Sequence, residues 1–75
     1  MSTYNAKSGT TAFVLGEDAN GLPAIFASGQ ATDSAGIITQ TGAAATIADG
    51  SLYLSTVDGA GVLFLKTNDV WIDQL

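Results

Sequence analysis

The chain has 75 residues and a formal net charge of −5, from seven acidic and two basic residues. It contains no cysteine and no histidine, which excludes a disulfide framework, a thiolate zinc site and catalysis by an imidazole base. Two basic residues supply too little positive charge to follow a phosphate backbone, so we expect no nucleic-acid partner. The length accommodates one small domain.

Short strands are predicted along the whole chain. Nine glycines disfavour helices, because each costs about 1 kcal/mol relative to alanine inside a helix. The alanine cluster at 43–45 leaves room for one helical turn at most. In chain order, the predicted strands cover residues 12–15, 24–27, 36–39, 46–48, 51–56, 62–67 and 70–72. The predicted fold class is therefore all-β, a small antiparallel sheet or sandwich of short strands.

Turn residues separate these strands. Asn20-Gly21 is the strongest hairpin signal, because both residues tolerate the positive φ angles of a type I′ turn. The other turn signals are Asp49-Gly50, Asp58-Gly59 and Asn68-Asp69.

Composition changes near residue 49. Residues 1–48 are rich in alanine, glycine, threonine and serine, whereas residues 49–75 contain more large apolar side chains. We predict that residues 1–48 form an extended docking segment with short strands. Residues 49–75 are predicted to form a compact β-strand oligomerisation module.

Both faces of the C-terminal strands are apolar. Side chains alternate between faces along a strand, so Leu52 and Leu54 lie opposite Tyr53, and Leu63 and Leu65 lie opposite Phe64. A half-exposed sheet would be polar on one side. Because small chains without disulfides or metals often gain stability by association, we expect identical copies to cover these faces. The alternative is a monomer in which residues 12–47 cover one face. The predicted interface residues are Leu52, Tyr53, Leu54, Leu63, Phe64, Leu65 and Trp71.

One segment resembles a known family. Residues 50–66 read GSLYLSTVDGAGVLFLK and are followed by Trp71. The matching positions are Gly50, Ser51, Leu52, Tyr53, Leu54, Thr56, Asp58, Gly59, Gly61, Leu63, Lys66 and Trp71, with Phe64 in the second aromatic place. The segment resembles a module of bacteriophage fibre, tailspike and other virion-surface proteins, although Ser55 stands where that family has arginine and Val57 interrupts its Thr-Asp pair. The resemblance implies an intertwined homotrimeric β structure on a phage particle.

Two glycine-containing motifs carry weak signals for ligand binding. Residues 18–21 read D-A-N-G, a fragment of a calcium loop, but Gly29 stands where an EF-hand has its bidentate glutamate. We interpret the fragment as a solvated hairpin turn. Gly59-Ala60-Gly61 lacks the third glycine and the lysine of a phosphate-binding loop, and we interpret it as a tight turn.

Catalysis is not predicted. The acidic residues are spread over turns, which offers no pair of carboxylates in a cleft. Lys66 could in principle activate a serine, but its place near a strand end predicts a solvated side chain. We therefore expect a protein that is not an enzyme and has no cofactor and no metal.

Trp71, Tyr53 and Phe64 allow two interpretations. Aromatic rings with polar atoms can form a platform on which a sugar stacks. Packing between subunits is favoured here, because large rings are scarce core material in so short a chain.

The leading hypothesis is a non-enzymatic phage structural protein: a trimeric capsid decoration or cement protein that stabilises the shell. Its partners would be copies of itself and the major capsid protein or another virion protein, with residues 1–48 docking by strand addition. We expect synthesis in the host cytoplasm, location on the virion and no membrane partner, since the longest apolar run, 62–65, is far shorter than the about 20 residues that span a bilayer. Residues 1–7 also lack the apolar core of a signal peptide.

The alternative is a fibre-tip or tail adhesion module that binds a host-surface glycan through its aromatic rings or exposed turns. A third hypothesis is a cytoplasmic β-domain with an unrelated partner.

Overall fold

The computed structural model describes residues 2–59 and 61–74. Within these residues six strands form one sheet, and one short helix packs beside it. The strands are β1 (Ser2–Thr3), β2 (Thr11–Glu17), β3 (Pro23–Gly29), β4 (Leu52–Ser55), β5 (Val62–Thr67) and β6 (Val70–Asp73), and the helix α1 is Ser34–Thr41. Single 3₁₀ turns lie at Ala44–Thr46 and Val57–Gly59. The prediction of a small fold built mainly from short strands is confirmed.

The strands lie in the sheet in chain order, from β1 to β6. Neighbouring strands are antiparallel except β3 and β4, which are parallel. A parallel pair requires a crossover connection, usually a helix, and α1 lies in that connection. The sheet is therefore mixed, where the sequence predicted an antiparallel one.

The prediction of a strand at 36–39 is wrong, because these residues lie in the helix α1. Asp33 caps its N-terminus, because its Oδ1 accepts a hydrogen bond of 2.8 Å from the backbone N–H of Gly36. The helix ends at Gly42, whose φ of 102° suits glycine. The strand predicted at 46–48 is also wrong, because a 3₁₀ turn ends at Thr46 and residues 47 and 48 do not form a strand. The two-residue β1 was not predicted.

Most predicted turns are present. Asn20-Gly21 closes the β2–β3 hairpin, where the N–H of Gly21 donates to the carbonyl of Asp18 at 3.1 Å. Only Gly21 has a positive φ there, of 79°, so the turn is not type I′. Asn68, with a φ of 49°, forms the tight β5–β6 turn.

The sheet joins the two predicted segments. Strands β1 to β3 come from residues 1–48 and pair along the chain, and β3 pairs with β4 from the second segment. Residues 1–48 thus form strands that pair within the chain, and a docking role for them stays a prediction.

The core lies between one sheet face, here called the covered face, and α1 with its flanking loops. The covered face contributes Ala12, Ile25, Ala27, Tyr53, Phe64 and Trp71, and Ile37 of α1 and Ile47 pack against it. The ring of Tyr53 lies at the centre, with its centroid 6.3 Å from that of Phe64 and 6.3 Å from that of Trp71, both edge-to-face. The chain itself thus covers one face of the sheet, as in the monomeric alternative.

Candidate functional site

The opposite face of the sheet is apolar and exposed, and we call it the open face. Its residues are Thr11, Phe13, Leu15, Phe26, Ser28, Leu52, Leu54, Leu63, Leu65, Thr67, Val70 and Ile72. The exposed large apolar residues of the described chain, at 38–50% exposure, all belong to it: Phe13, Leu15, Phe26, Leu63, Val70 and Ile72. No helix in the described part of the chain packs on this face.

Strand register aligns large side chains in a row across the open face. Phe13 lies opposite Phe26, Phe26 beside Leu52, Leu52 opposite Leu65, and Leu65 opposite Ile72. Such cross-strand neighbours have Cβ atoms about 4.5–5.5 Å apart and contact one another. The apolar surface is therefore continuous from β2 to β6.

A shallow groove lies at the β2–β3 end of the open face. Its volume is about 270 Å³, and it is lined by Thr11, Phe13, Leu15, Phe26 and Ser28. A partner side chain of moderate size fits such a depression.

The open face carries no ionisable side chain. The acidic residues lie in turns and at the ends of elements, at Glu17, Asp18, Asp33, Asp49, Asp58, Asp69 and Asp73. A surface without formal charge thus occupies one side of a chain whose net charge is −5.

The predicted interface residues divide between the two faces. Leu52, Leu54, Leu63 and Leu65 lie on the open face, where they are half-buried or exposed. Tyr53, Phe64 and Trp71 lie on the covered face and are only 0%, 5% and 3% exposed within a single chain. Within one chain, α1 and its flanking loops cover these three rings, and the assignment of the seven residues to an interface stays a prediction.

Sequence reasoning missed half of the open face. Phe13, Leu15 and Phe26 extend it into the N-terminal half, and Val70 and Ile72 extend it to β6. Alternation within 11–17 and 23–29 was the available signal, because Phe13 and Phe26 each sit between residues of the opposite face.

The hydroxyl of Tyr53 serves the fold. It donates a hydrogen bond of 2.6 Å to Oε1 of Gln40 and accepts one of 3.0 Å from the backbone N–H of Ala31. These bonds tie β4 to α1 and to the segment before it. Burial raises the pKa of the Tyr53 phenol. A ring enclosed in this way offers no platform for a sugar.

Trp71 is also fixed from the helix side. Its backbone N–H donates to Oγ of Ser34, the first residue of α1, at 2.9 Å. Its indole Nε1 is buried without a hydrogen-bond partner in the described residues.

Lys66 is buried, at 2% exposure, so the prediction of a solvated side chain is wrong. Its Nζ donates to Oδ1 of Asp49 and to the carbonyl of Asn68, both at 2.8 Å. The bond from Lys66 holds the pKa of Asp49 below its ordinary value. The lysine thereby ties the segment before β4 to the β5–β6 turn, which is a structural task.

Other polar motifs close turns and join elements. Oδ1 of Asp18 accepts hydrogen bonds of 2.9 Å from the N–H groups of Asn20 and Leu22, which agrees with a hairpin turn. Ser51 Oγ accepts from the N–H of Ile25 at 2.9 Å and donates to the carbonyl of Ala48 at 2.8 Å.

Over residues 2–59 and 61–74, no three acidic side chains meet in a group that could hold a metal. In the Gly59-Ala60-Gly61 motif, Ala60 lies outside the described residues.

The helical part of the described chain contains no segment long and apolar enough to span a bilayer. In comparisons with known proteins, the chain matches no protein-family model, no curated protein and no solved structure. The likeness of residues 50–72 to phage surface modules therefore stays a prediction.

Proposed function

We propose that this chain is a non-enzymatic structural protein of a bacteriophage particle, where it acts as a trimeric decoration or cement subunit on the capsid. The observation that carries the proposal is the open face, a continuous apolar surface without charge. Soluble monomers seldom expose contiguous apolar patches beyond a few hundred Å², and larger ones usually mark interaction sites. The resemblance of residues 50–72 supplies the phage context and the trimer.

Stabilisation of a shell by such a subunit follows from mass action. A protein that binds the assembled state more tightly than the separated subunits shifts the equilibrium towards assembly. Many copies that bury apolar area would each add a small increment. The capsid protein, or another virion protein, is the proposed partner outside the trimer.

The buried side chains that could act as acids, bases or nucleophiles make hydrogen bonds within the fold, which favours a non-enzymatic role. Tyr53, Lys66 and Ser51 each hold two parts of the fold together through hydrogen bonds. The alternative of a glycan-binding adhesion module draws no support from Tyr53 and Trp71, whose rings are buried.

The test compares particles that carry the gene with particles from which it is deleted. Electron cryomicroscopy is expected to show many copies over the shell, grouped in threes, and the deleted particles are expected to lose their genome at lower temperature. Adding purified chain back should restore the tolerance. Absence of the chain from the particle would refute a virion role, and unchanged heat tolerance would refute the cement role.

A further inference from the structure

We propose that a second copy of this chain covers the open face. Such self-association deepens the proposed function, on whose oligomer it rests, and it assigns the contact between copies to a named surface. The row Phe13, Phe26, Leu52, Leu65 and Ile72 forms its centre.

The exposed area is close to what a stable contact between copies needs. Six side chains of the open face are 38–50% exposed. At about 200 Å² for a fully exposed large apolar side chain, they present on the order of 500 Å² per copy. If all of this area is covered, two copies bury about 1,000 Å² from these residues alone, which is the lower bound for a biological interface.

The distribution of charge favours a second copy as the occupant. Each copy has a net charge of −5, so most of its surface repels an identical chain. The open face has no charged side chain, so it neither repels an identical face nor requires a partner of opposite charge. A partner that docked through a charged side chain would leave that charge buried without a counter-ion, which is costly. An identical apolar face leaves no such group.

The edges of the sheet are poorer routes to self-association. One edge strand, β1, has only two residues. At the other edge, the backbone N–H of Trp71 in β6 already donates to Oγ of Ser34. Short or capped edges are the usual protection against edge-to-edge pairing, and they leave the open face as the available surface.

Simple geometry allows either two or three copies. Sheets that pack face to face lie about 10 Å apart, so each lies about 5 Å from the middle of a two-copy sandwich. The five strands β2 to β6 are about 19 Å wide at about 4.8 Å per strand. Three sheets of that width, arranged as a triangle, each lie about 5.5 Å from the central axis. Leucine and phenylalanine side chains fill either space.

The experiment measures the mass of the purified full chain by sedimentation equilibrium and light scattering over a range of concentrations. One chain is 7.6 kDa, and a mass of two or three chains is expected at high concentration. Phe26→Asp and Leu63→Asp each place a charge on the open face and are expected to weaken association at least about 100-fold. Ala19→Asp adds the same charge in the exposed β2–β3 turn and should associate like the wild type.

Circular dichroism and cooperative unfolding check that each variant folds. Hydroxyl-radical labelling of the unmodified chain gives a second measurement that needs no variant. Phe13, Phe26 and Ile72 should become protected as concentration rises, while Tyr4 and Lys7 should not.

A dimer or a trimer that both open-face variants dissociate supports the inference, and a dimer would remove the trimer from the proposed function. A wild-type chain that stays monomeric overturns the inference and leaves the virion role to microscopy. Association that survives both substitutions, without protection of the open face, overturns it as well. A monomer that binds purified shells through Phe26 would assign this face to the shell protein instead.

Discussion

Removing the hydroxyl of Tyr53 tests how the covered face is held together. Tyr53→Phe keeps the ring between Phe64 and Trp71 but deletes the hydrogen bonds to Gln40 and Ala31. The N–H of Ala31 loses its acceptor in a residue that is only 8% exposed. An unsatisfied buried donor costs about 1–3 kcal/mol. Gln40 is only partly buried, so its amide oxygen can turn to water and adds little.

We expect a loss of about 2 kcal/mol in the free energy of unfolding. In a domain of this size each 1 kcal/mol shifts the melting temperature by about 4–8 °C, so the shift is roughly 8–16 °C. Thermal unfolding followed by circular dichroism and by the fluorescence of Trp71 measures it. All variants are compared at one chain concentration, because association raises apparent stability.

Tyr4→Phe is the matched control. The hydroxyl of Tyr4, a half-buried residue, donates to the carbonyl of Thr41 at 2.8 Å. Thr41 is itself only 3% exposed, but a carbonyl without a partner is tolerated more often than an N–H, so the loss should be smaller, about 1 kcal/mol. If Tyr53→Phe proves no more destabilising than Tyr4→Phe, Tyr53 does not fasten α1 to the sheet.

Three further predictions concern the helix cap and the two shifted pKa values. Asp33→Ala should lower the free energy of unfolding by about 1 kcal/mol, and Asp33→Ser should recover most of it, because serine also caps a helix; equal losses in urea titrations would exclude the cap. The lowered pKa of Asp49 contributes stability that is present above its unfolded value of 3.8 and is lost as pH falls through the folded value, so Asp49→Asn should lose less stability than the wild type on acidification. The raised pKa of Tyr53 contributes stability that is lost as pH rises above about 10, and Tyr53→Phe should remove that part of the alkaline transition.

Local pattern predicts the strands of this fold better than its helix. Residues 62–67 alternate large side chains between turn residues, and β5 has the predicted bounds. Ile37, Ile38 and Thr39 are β-branched and favour a strand. They form a helix because Asp33 caps it and because a crossover must connect the parallel strands β3 and β4. The pairing of those strands is a long-range property that no local window contains.

The sequence predicts that the candidate site is apolar, but it does not predict which face of the sheet stays exposed. Alternation separates Leu52 and Leu54 from Tyr53, and it predicts two apolar faces. It does not say which face α1 will cover. Lys66 shows the same limit: its pattern places it beside Phe64 on the covered face, but its partner Asp49 lies 17 residues earlier in the chain. A charged side chain on a buried face is recognisable as structural only once that partner is known.

The two faces of the sheet carry different kinds of large side chain. Tyr53 and Trp71 carry polar atoms, and they lie on the face where Gln40, Ala31 and Ser34 supply hydrogen-bond partners to the side chain of Tyr53 and the backbone of Trp71. The large residues of the open face are phenylalanine, leucine, valine and isoleucine, which need only shape and exclusion of water from a partner. The eight-residue α1 is about 12 Å long and, with its loops, is enough to cover one face of the sheet. The hydrogen bonds of the Tyr53 side chain and the Trp71 backbone are therefore completed within one chain, whereas no helix of the described residues covers the apolar open face.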